Sequence, residues 1–209
     1  MKKSFVIAID GASSTGKSTL AKGLAKALGF AHVDSGAMYR SVTLYAQQND
    51  LLENKTLNTE VLLSQLDDIH LWFEGDTFWL NGVDVSAEIR SMQVSEAVSL
   101  VAAIPEVRAF LVAQQRIMGA NHSVVMDGRD IGTVVFPKAD LKLFLTADVN
   151  IRAQRRFDEL SAQNAYTSVE EVRNNLAERD HLDSTRADSP LVQAADAVPL
   201  DATQFTVES

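Results

Sequence analysis

The stretch Gly11-Ala12-Ser13-Ser14-Thr15-Gly16-Lys17-Ser18 decides how this chain folds. It matches the pattern G-x-x-x-x-G-K-[ST] at every fixed position. The apolar run Phe5-Val6-Ile7-Ala8-Ile9 precedes it, and apolar residues recur at helical spacing after it, at Leu20, Leu24 and Leu28. A strand, a glycine-containing turn and a helix in this order present backbone N–H groups to one anion. The sequence therefore predicts a phosphate-binding loop.

The rest of the chain continues this alternation of strands and helices. Further strands are predicted at residues 30–34, 123–126, 142–145 and 196–200. Helices are predicted at residues 17–28, 38–48, 59–66, 96–120, 150–160 and 168–180, with a break at Pro105. The polar residues 49–58 are expected to form a loop, and residues 70–73 and 77–80 flank a turn and predict a β-hairpin. Such a pattern is typical of an α/β fold with a parallel sheet, here interrupted by an insert that contains the hairpin.

Composition limits the classes of function. The 209 residues are 46% hydrophobic and 22% charged, which indicates one globular domain with an insert. A net charge of −9 disfavours broad nucleic-acid binding, and no apolar run reaches the roughly 20 residues of a membrane span. Cysteine is absent, which excludes disulfides and thiolate metal sites and is compatible with the cytoplasm, where we expect the protein to act.

The motifs that accompany other phosphate-loop classes are missing. The chain has no N-K-x-D or D-x-x-G motif of a GTPase and no LSGGQ-type signature of a transporter ATPase. Small-molecule kinases remain, and these need an acceptor site near the γ-phosphate. Within the loop, Lys17 can reach the β- and γ-phosphates and the Ser18 hydroxyl can bind Mg²⁺.

Two further segments follow predicted strands and suit that acceptor site. They are Asp34-Ser35-Gly36-Ala37-Met38-Tyr39-Arg40 and Asp127-Gly128-Arg129-Asp130-Ile131-Gly132-Thr133. Ligands of open parallel sheets bind outside the carboxyl ends of the strands, so both segments are expected at the edge that carries the phosphate loop. Asp127, which ends a strand, either binds Mg²⁺, directly or through water, or caps a turn. From residue 150 onward the cations are six Arg and no Lys, and they serve either anion binding or solvated helix faces with local ion pairs.

These motifs together resemble the bacterial cytidylate kinases, which are nucleoside monophosphate kinases. The resemblance rests on residues 11–19, 34–40, 127–137 and 179–191, and it extends from about Phe5 to Thr203. It implies a P-loop NTPase fold with a central five-stranded parallel sheet flanked by helices. It implies a core at residues 1–35 and 96–209, a CMP-binding insert at residues 36–95 and a short lid at residues 150–165. The family continues into a closing helix after its last strand, whereas only residues 204–209 remain here, so either this sequence is truncated or the closing helix is absent.

The implied reaction moves the γ-phosphate of ATP to CMP or dCMP with Mg²⁺, with no nucleic-acid or membrane partner and as a monomer. The implied ATP-binding residues are Gly11, Ala12, Ser13, Ser14, Thr15, Gly16, Lys17, Ser18 and Thr19. The implied CMP-binding residues are Ser35, Tyr39, Arg40, Ser99, Arg108, Arg129, Asp130, Arg179, Asp183 and Arg186. The implied catalytic residues are Lys17, Arg129, Arg152, Arg155 and Arg156, and the candidate metal ligands are Ser18 and Asp127.

Two other functions stay open from the residues alone. The first is a kinase of another small acceptor, such as UMP, AMP or a metabolite hydroxyl. A hydroxyl acceptor would need a base, for which Asp34 or Asp130 would serve. The second is a nucleotide-binding module without catalysis, which would be expected to lack residues such as Lys17 and Arg129 that this chain retains.

Overall fold

A computed structural model describes residues 4–54, 56–75, 77–162 and 167–206. The chain divides into two compact units, Met1–Asp34 with Arg116–Ser209, and Ser35–Gln115. The predicted insert at residues 36–95 falls within the second unit. Asp76 of the predicted hairpin turn and residues 163–165 of the predicted lid lie outside the described residues.

The first unit is built on a five-stranded sheet. Its strands are β1 (Val6–Gly11), β2 (Ala31–Asp34), β8 (Val124–Gly128), β9 (Leu141–Thr146) and β10 (Val198–Asp201), in the order β10-β9-β1-β8-β2. Every neighbouring pair is parallel, which confirms the predicted fold class. All of β1 is buried, as expected for a central strand covered on both faces.

The helices of this unit are α1 (Lys17–Leu28), α6 (Val149–Ala162) and α7 (Val169–Thr185), together with the end of α5 (Pro105–Asn121). Helix α1 lies against β2 and β8, and α6 packs along α7. Ala21 and Ala25 of α1 join a buried cluster with Ile7, Ile9 and Leu145 of the sheet. This packing holds α1 against the sheet, with its start beyond the carboxyl end of β1. No helix in the described ranges is long and apolar enough to cross a bilayer.

The second unit contains α2 (Ser35–Gln48), α3 (Thr59–Ser64), α4 (Met92–Ala102) and most of α5. Its strands are β3 (Leu52–Glu53), β4 (Thr56–Leu57), β5 (Leu71–Glu74), β6 (Thr77–Leu80) and β7 (Val83–Asp84). Strands β5, β6 and β7 form an antiparallel sheet, so the predicted hairpin is present. Helix α5 begins at Pro105, where a missing N–H costs nothing, and this confirms the predicted break.

Two predicted segments of this unit were wrong in detail. Helix α2 begins at Ser35, directly after β2, rather than at Met38, because its first turns bury Ser35, Ala37 and Met38. Residues 49–58 are not a plain loop, since β3 and β4 pair there. The buried Leu52 stands opposite Leu57 in that pair.

Candidate active site

The phosphate loop joins the end of β1 to the start of α1. Gly11 closes β1 with φ +151°, and a Cβ there would collide with the carbonyl oxygen of Leu145 on β9. Gly16, with φ +95°, stands at the N-cap of α1, and no side chain caps the helix there. The first N–H groups of a helix have no partner within the helix. The start of α1 therefore offers donors and a positive partial charge to an anion.

Substituting Gly11 with alanine is expected to destabilise the first unit. The added Cβ must displace the backbone of β9, and the positive φ is unfavourable for alanine. We expect a loss of about 3 kcal/mol, at the upper end for an overpacked site. Thermal unfolding measures it, with Gly23→Ala in α1 as the matched control. A Cβ at Gly23 meets nothing within 4 Å, so that variant should match or exceed the wild type. Equal melting temperatures for the two variants would contradict this account.

Lys17, the first residue of α1, is buried with its ammonium facing the loop. Its Nζ donates to the carbonyl of Ala12 at 2.5 Å and lies 3.4 Å from Thr15 Oγ1. Burial lowers the pKa of Lys17 to about 7, and the positive charge of Arg129 acts in the same direction. Nearby carboxylates oppose both effects without cancelling them. The loop thus holds a cation that has lost its hydration and that an anionic ligand would stabilise.

A hydroxyl and a carboxylate meet beside the start of α1. Ser18 Oγ donates to Asp127 Oδ2 at 2.7 Å, which joins α1 to the end of β8. His32 of β2 places Nε2 2.7 Å from Asp127 Oδ1, so both oxygens of this buried carboxylate are engaged. No local pattern distinguishes His32, because its partner is 95 residues away.

These donors suit Mg²⁺. The ion prefers oxygen ligands, keeps several waters and is usually held by one or two carboxylates together with substrate phosphates. Among the described residues, no group of three or more His, Cys, Asp or Glu side chains could hold a metal. A nucleotide-associated ion held by Ser18 and Asp127 fits this donor set, whereas a metal site made by the protein alone does not.

Buried arginines and aspartates form a network beyond β8. Arg129 Nε donates to Asp183 Oδ2 at 2.8 Å, and Arg186 Nη1 and Nη2 lie 3.8 Å from Asp183 and 3.9 Å from Asp130. Burial works to raise the pKa of Asp183, but Arg129, Arg179 and Arg186 hold it below its ordinary value. Burial likewise works to lower the pKa of Arg129, and Asp183 raises it. Arg129 and Asp183 therefore favour each other's charged forms, so a guanidinium is held in place in this network.

Helix α6 places two arginines on the phosphate loop. Arg152 Nη1 donates to the carbonyl of Ser13 at 3.2 Å, and its Nη2 donates to Asp180 of α7 at 2.7 Å. Arg155 Nη1 lies 3.5 Å from the carbonyl of Thr15. The third predicted arginine, Arg156, pairs with Glu159 on the same helix at 3.1 Å. Arg152 and Arg155 thus contact the loop itself, whereas the pair that Arg156 makes with Glu159 lies within its own helix.

The remaining predicted residues belong to the second unit. Ser35, Tyr39 and Arg40 lie on α2, and Ser99 lies on α4. Arg108 on α5 is only 3% exposed, with its guanidinium carbon 5.4 Å from the ring centre of Tyr39 and its Nη1 3.1 Å from the carbonyl of Ala102. Arg108 is therefore not a solvated position on its helix.

Sequence reasoning also missed Asp10. This residue of β1 is 4% exposed, and its two carboxylate oxygens accept the backbone N–H groups of Ile131 and Gly132, each at 2.7 Å. Burial raises the pKa of Asp10 to about 6, although the two N–H groups act to lower it. The only sequence signal was an acidic residue that ends an apolar run.

The parallel sheet, the uncapped α1 and the buried Lys17 define a P-loop nucleotide-binding protein. Comparison with known proteins narrows this class. The family model described as cytidylate kinase matches residues 7–209. The chain belongs to the cytidylate kinase family, as the resemblance predicted.

Individual relatives agree with this assignment. The chain is 50% identical to a cytidylate kinase of Bacteroides fragilis, covering 98% of this chain and 92% of that protein. It is 52% identical to a cytidylate kinase of Flavobacterium psychrophilum, covering 99% and 94% respectively. A solved structure of an uncharacterized protein from Eubacterium ventriosum has a TM-score of 0.51 at 12% identity, over 99% of this chain and 93% of that one. At that identity the last comparison supports the fold alone.

Proposed function

We propose that this protein transfers the γ-phosphate of ATP to CMP or dCMP, producing ADP and CDP or dCDP. Membership of the cytidylate kinase family supports the reaction. The observation that carries it in the structure is the buried Lys17 at the uncapped start of α1, in the same unit as the arginine network of Arg129. Lys17 and the start of α1 suit the phosphates of the donor, and the arginine network suits the phosphate of an acceptor.

The donor side consists of the phosphate loop and the residues beside it. Backbone N–H groups of residues 11–19 bind the ATP phosphates, and Lys17 moves from the carbonyl of Ala12 to the β- and γ-phosphates. Ser18 and Asp127 would hold Mg²⁺, which when bound neutralises charge on the phosphate oxygens. Arg152 and Arg155 add positive charge beside the loop carbonyls of Ser13 and Thr15.

The acceptor side needs no general base, because the attacking group is already a phosphate oxyanion. Arg40, Arg129 and Arg179 are proposed to hold the CMP phosphate and to reduce its repulsion from ATP. A carboxylate and an arginine can read the amino group and the carbonyl of cytosine, and Asp130 and Arg108 are residues of those types. Ser99 is proposed to face the cytosine beside them, and the other proposed CMP contacts are Ser35, Tyr39, Asp183 and Arg186.

Water exclusion would be the task of the lid, which we propose at residues 150–165. Closure would bring Arg156 toward the phosphates and keep water from the γ-phosphate. The division into a core and a CMP-binding insert at residues 36–95 is proposed on the same resemblance. Action in the cytoplasm, the monomeric state and the absence of nucleic-acid and membrane partners stay predictions.

A panel of acceptors tests this function. ADP release is measured with Mg·ATP and CMP, dCMP, UMP, AMP, GMP, dTMP or shikimate. We expect fast turnover with CMP and dCMP and slow turnover with the others. Fast turnover with another acceptor would contradict the assignment of Ser99, Arg108 and Asp130 to the base. Folded protein that binds ATP without turning over any acceptor would contradict the proposed reaction itself.

ATP binding is expected to take up a proton at Lys17. The pKa of Lys17 is about 7 in the free protein, so above that value the ammonium is largely deprotonated. The phosphates favour the charged form and raise this pKa, so uptake is expected above neutral pH and disappears in acid, where Lys17 is already protonated. Calorimetry at about pH 8 in buffers of different ionisation enthalpy measures the uptake. Lys17→Met is the control, and equal uptake by this variant would contradict the prediction.

A further inference from the structure

Asp10 connects the phosphate-loop strand to the segment that carries Arg129 and Asp130. It is the penultimate residue of β1, it is paired in register with Gly128 of β8, and Gly11 of the phosphate loop follows it directly. The residue is 4% exposed. Burying a carboxylate costs free energy unless the group is paired or hydrogen-bonded. The hydrogen-bond partners of Asp10 therefore account for its burial.

Those partners belong to a single turn of π-helix at Ile131–Val135. Asp10 Oδ1 accepts the N–H of Ile131 and Oδ2 accepts the N–H of Gly132, each at 2.7 Å. Two short bonds from adjacent N–H groups to one carboxylate fix both the position and the orientation of the turn. Gly132 allows this close approach, because a Cβ there would lie 3.2 Å from Asp10 Oδ2 and 3.1 Å from Cδ of Lys142.

Hydrogen bonds join the same turn to the carbonyl of Asp130 and, at its other end, to the side chain of Arg116. The carbonyl of Asp130 accepts the N–H groups of Val134 and Val135 at 2.8 and 3.2 Å, so a rotation of the turn would move Asp130. Arg116 of α5 donates to the carbonyls of Val134 and Val135 at 2.8 and 3.1 Å. A buried anion at the start and a cation at the end therefore restrain the turn.

We infer that Asp10 is a positioning residue for phosphoryl transfer. Its carboxylate fixes the turn at residues 131–135 and thereby sets where Arg129 and Asp130 stand relative to the phosphate loop. This rests on the proposed function in so far as Arg129 and Asp130 bind the acceptor. Its hydrogen bonds run to the backbone of Ile131 and Gly132, so we expect its main effect on use of the acceptor. Its charge also favours the ammonium of Lys17, and the KM for ATP reports that smaller effect.

Asp10→Asn tests this inference while keeping the size of the side chain. The amide has one oxygen to accept an N–H, and its NH₂ group would face the other N–H donor. We expect kcat/KM for CMP to fall about a hundredfold, as for a reacting group displaced by about 1 Å, while the KM for ATP changes less than about threefold. Hydrogen exchange of residues 130–136 should accelerate in this variant, and that of residues 12–19 should not.

Asp140→Asn is the matched control. Asp140 Oδ2 accepts the N–H of Val6 at 2.9 Å, so it makes the same kind of bond to the opposite end of β1. This variant should leave the kinetics for CMP and the exchange of residues 130–136 unchanged. The inference would be overturned if the two variants behaved alike, or if Asp10→Asn raised the KM for ATP as much as that for CMP.

Arg116→Gln provides a second arm if Asp10→Asn does not fold. Arg116 is an exposed residue of α5, and its loss removes the two bonds at the other end of the turn. We expect hydrogen exchange of residues 130–136 to accelerate and kcat/KM for CMP to fall, each by about a tenth of the change expected for Asp10→Asn. Unchanged exchange and kinetics here would count against the restrained turn. Because exchange needs no substrate, a wild-type protein that failed to phosphorylate CMP would refute the proposed function and leave the restraint measurable.

Discussion

Lys17→Met is expected to lower kcat for CMP phosphorylation by at least about 10³-fold. The Nζ of Lys17 lies 2.5 Å from the carbonyl of Ala12 inside the phosphate loop, and burial lowers its pKa to about 7. Lys17 already stands in a desolvated position before the nucleotide arrives, so the ammonium that the phosphates favour interacts strongly with negative charge that develops on the transferred group. Stability should not suffer, because methionine removes a buried cation and keeps most of its volume. Steady-state kinetics and thermal unfolding measure the two effects.

Lys26→Met is the control for this prediction. Lys26 lies in the last turn of the same helix, and its side chain is exposed. The variant should keep wild-type kinetics, which would separate the loss of the loop cation from a general loss of positive charge. If Lys17→Met retained more than about a tenth of the wild-type kcat, Lys17 would not be the residue that stabilises the transferred phosphate.

Arg129→Met is expected to have the second largest effect, about a 10³-fold fall in kcat/KM for CMP with little change in the KM for ATP. Arg129 is held by Asp183 at 2.8 Å, and Arg179 and Arg186 keep that carboxylate charged. The guanidinium is thus oriented before a substrate binds, and a bidentate contact to phosphate needs that orientation. Arg129→Lys should recover little, since an ammonium cannot reproduce the planar fork. Kinetics with each substrate varied in turn separates the two sides of the reaction.

Arg173→Met is the matched control on α7. Arg173 pairs with Glu170 at 2.8 Å, and its side chain is 44% exposed. An exposed pair of this kind contributes little, so this variant should resemble the wild type in both stability and kinetics. A rise in the KM for ATP as large as the rise for CMP in Arg129→Met would place Arg129 on the donor side instead.

The parallel sheet and the phosphate loop could be predicted because their signals are local. The apolar run of β1, the spacing of glycines with Lys17, and the helical pattern after it lie within about one supersecondary unit. Helix α2 was placed too late, because the burial of Ser35 and Ala37 is a tertiary effect that the local sequence does not show. The pairing of β3 with β4 depends similarly on the burial of Leu52, which the polar composition of residues 49–58 concealed.

In the candidate site, too, the residues that could be predicted are those with a local sequence signal. Residues within recognisable motifs, such as Lys17, Arg129 and Asp130, could be selected from the sequence. Asp10 and His32 could not, since their partners are 121 and 95 residues away and only the register of parallel strands brings them together. Their side chains carry no distinguishing pattern, and an acidic residue at the end of a strand is common in turns.

A phosphoryl group is expected to pass directly from ATP to CMP. ³¹P NMR of an equimolar mixture of ATP and CMP with Mg²⁺ and the protein follows this transfer. We expect the CMP resonance and the γ-phosphate resonance of ATP to decline together. Two pairs of diphosphate signals, from ADP and CDP, should grow at the same rate with no inorganic phosphate. Growth of inorganic phosphate with an unchanged CMP signal would show hydrolysis in place of transfer and would contradict the account.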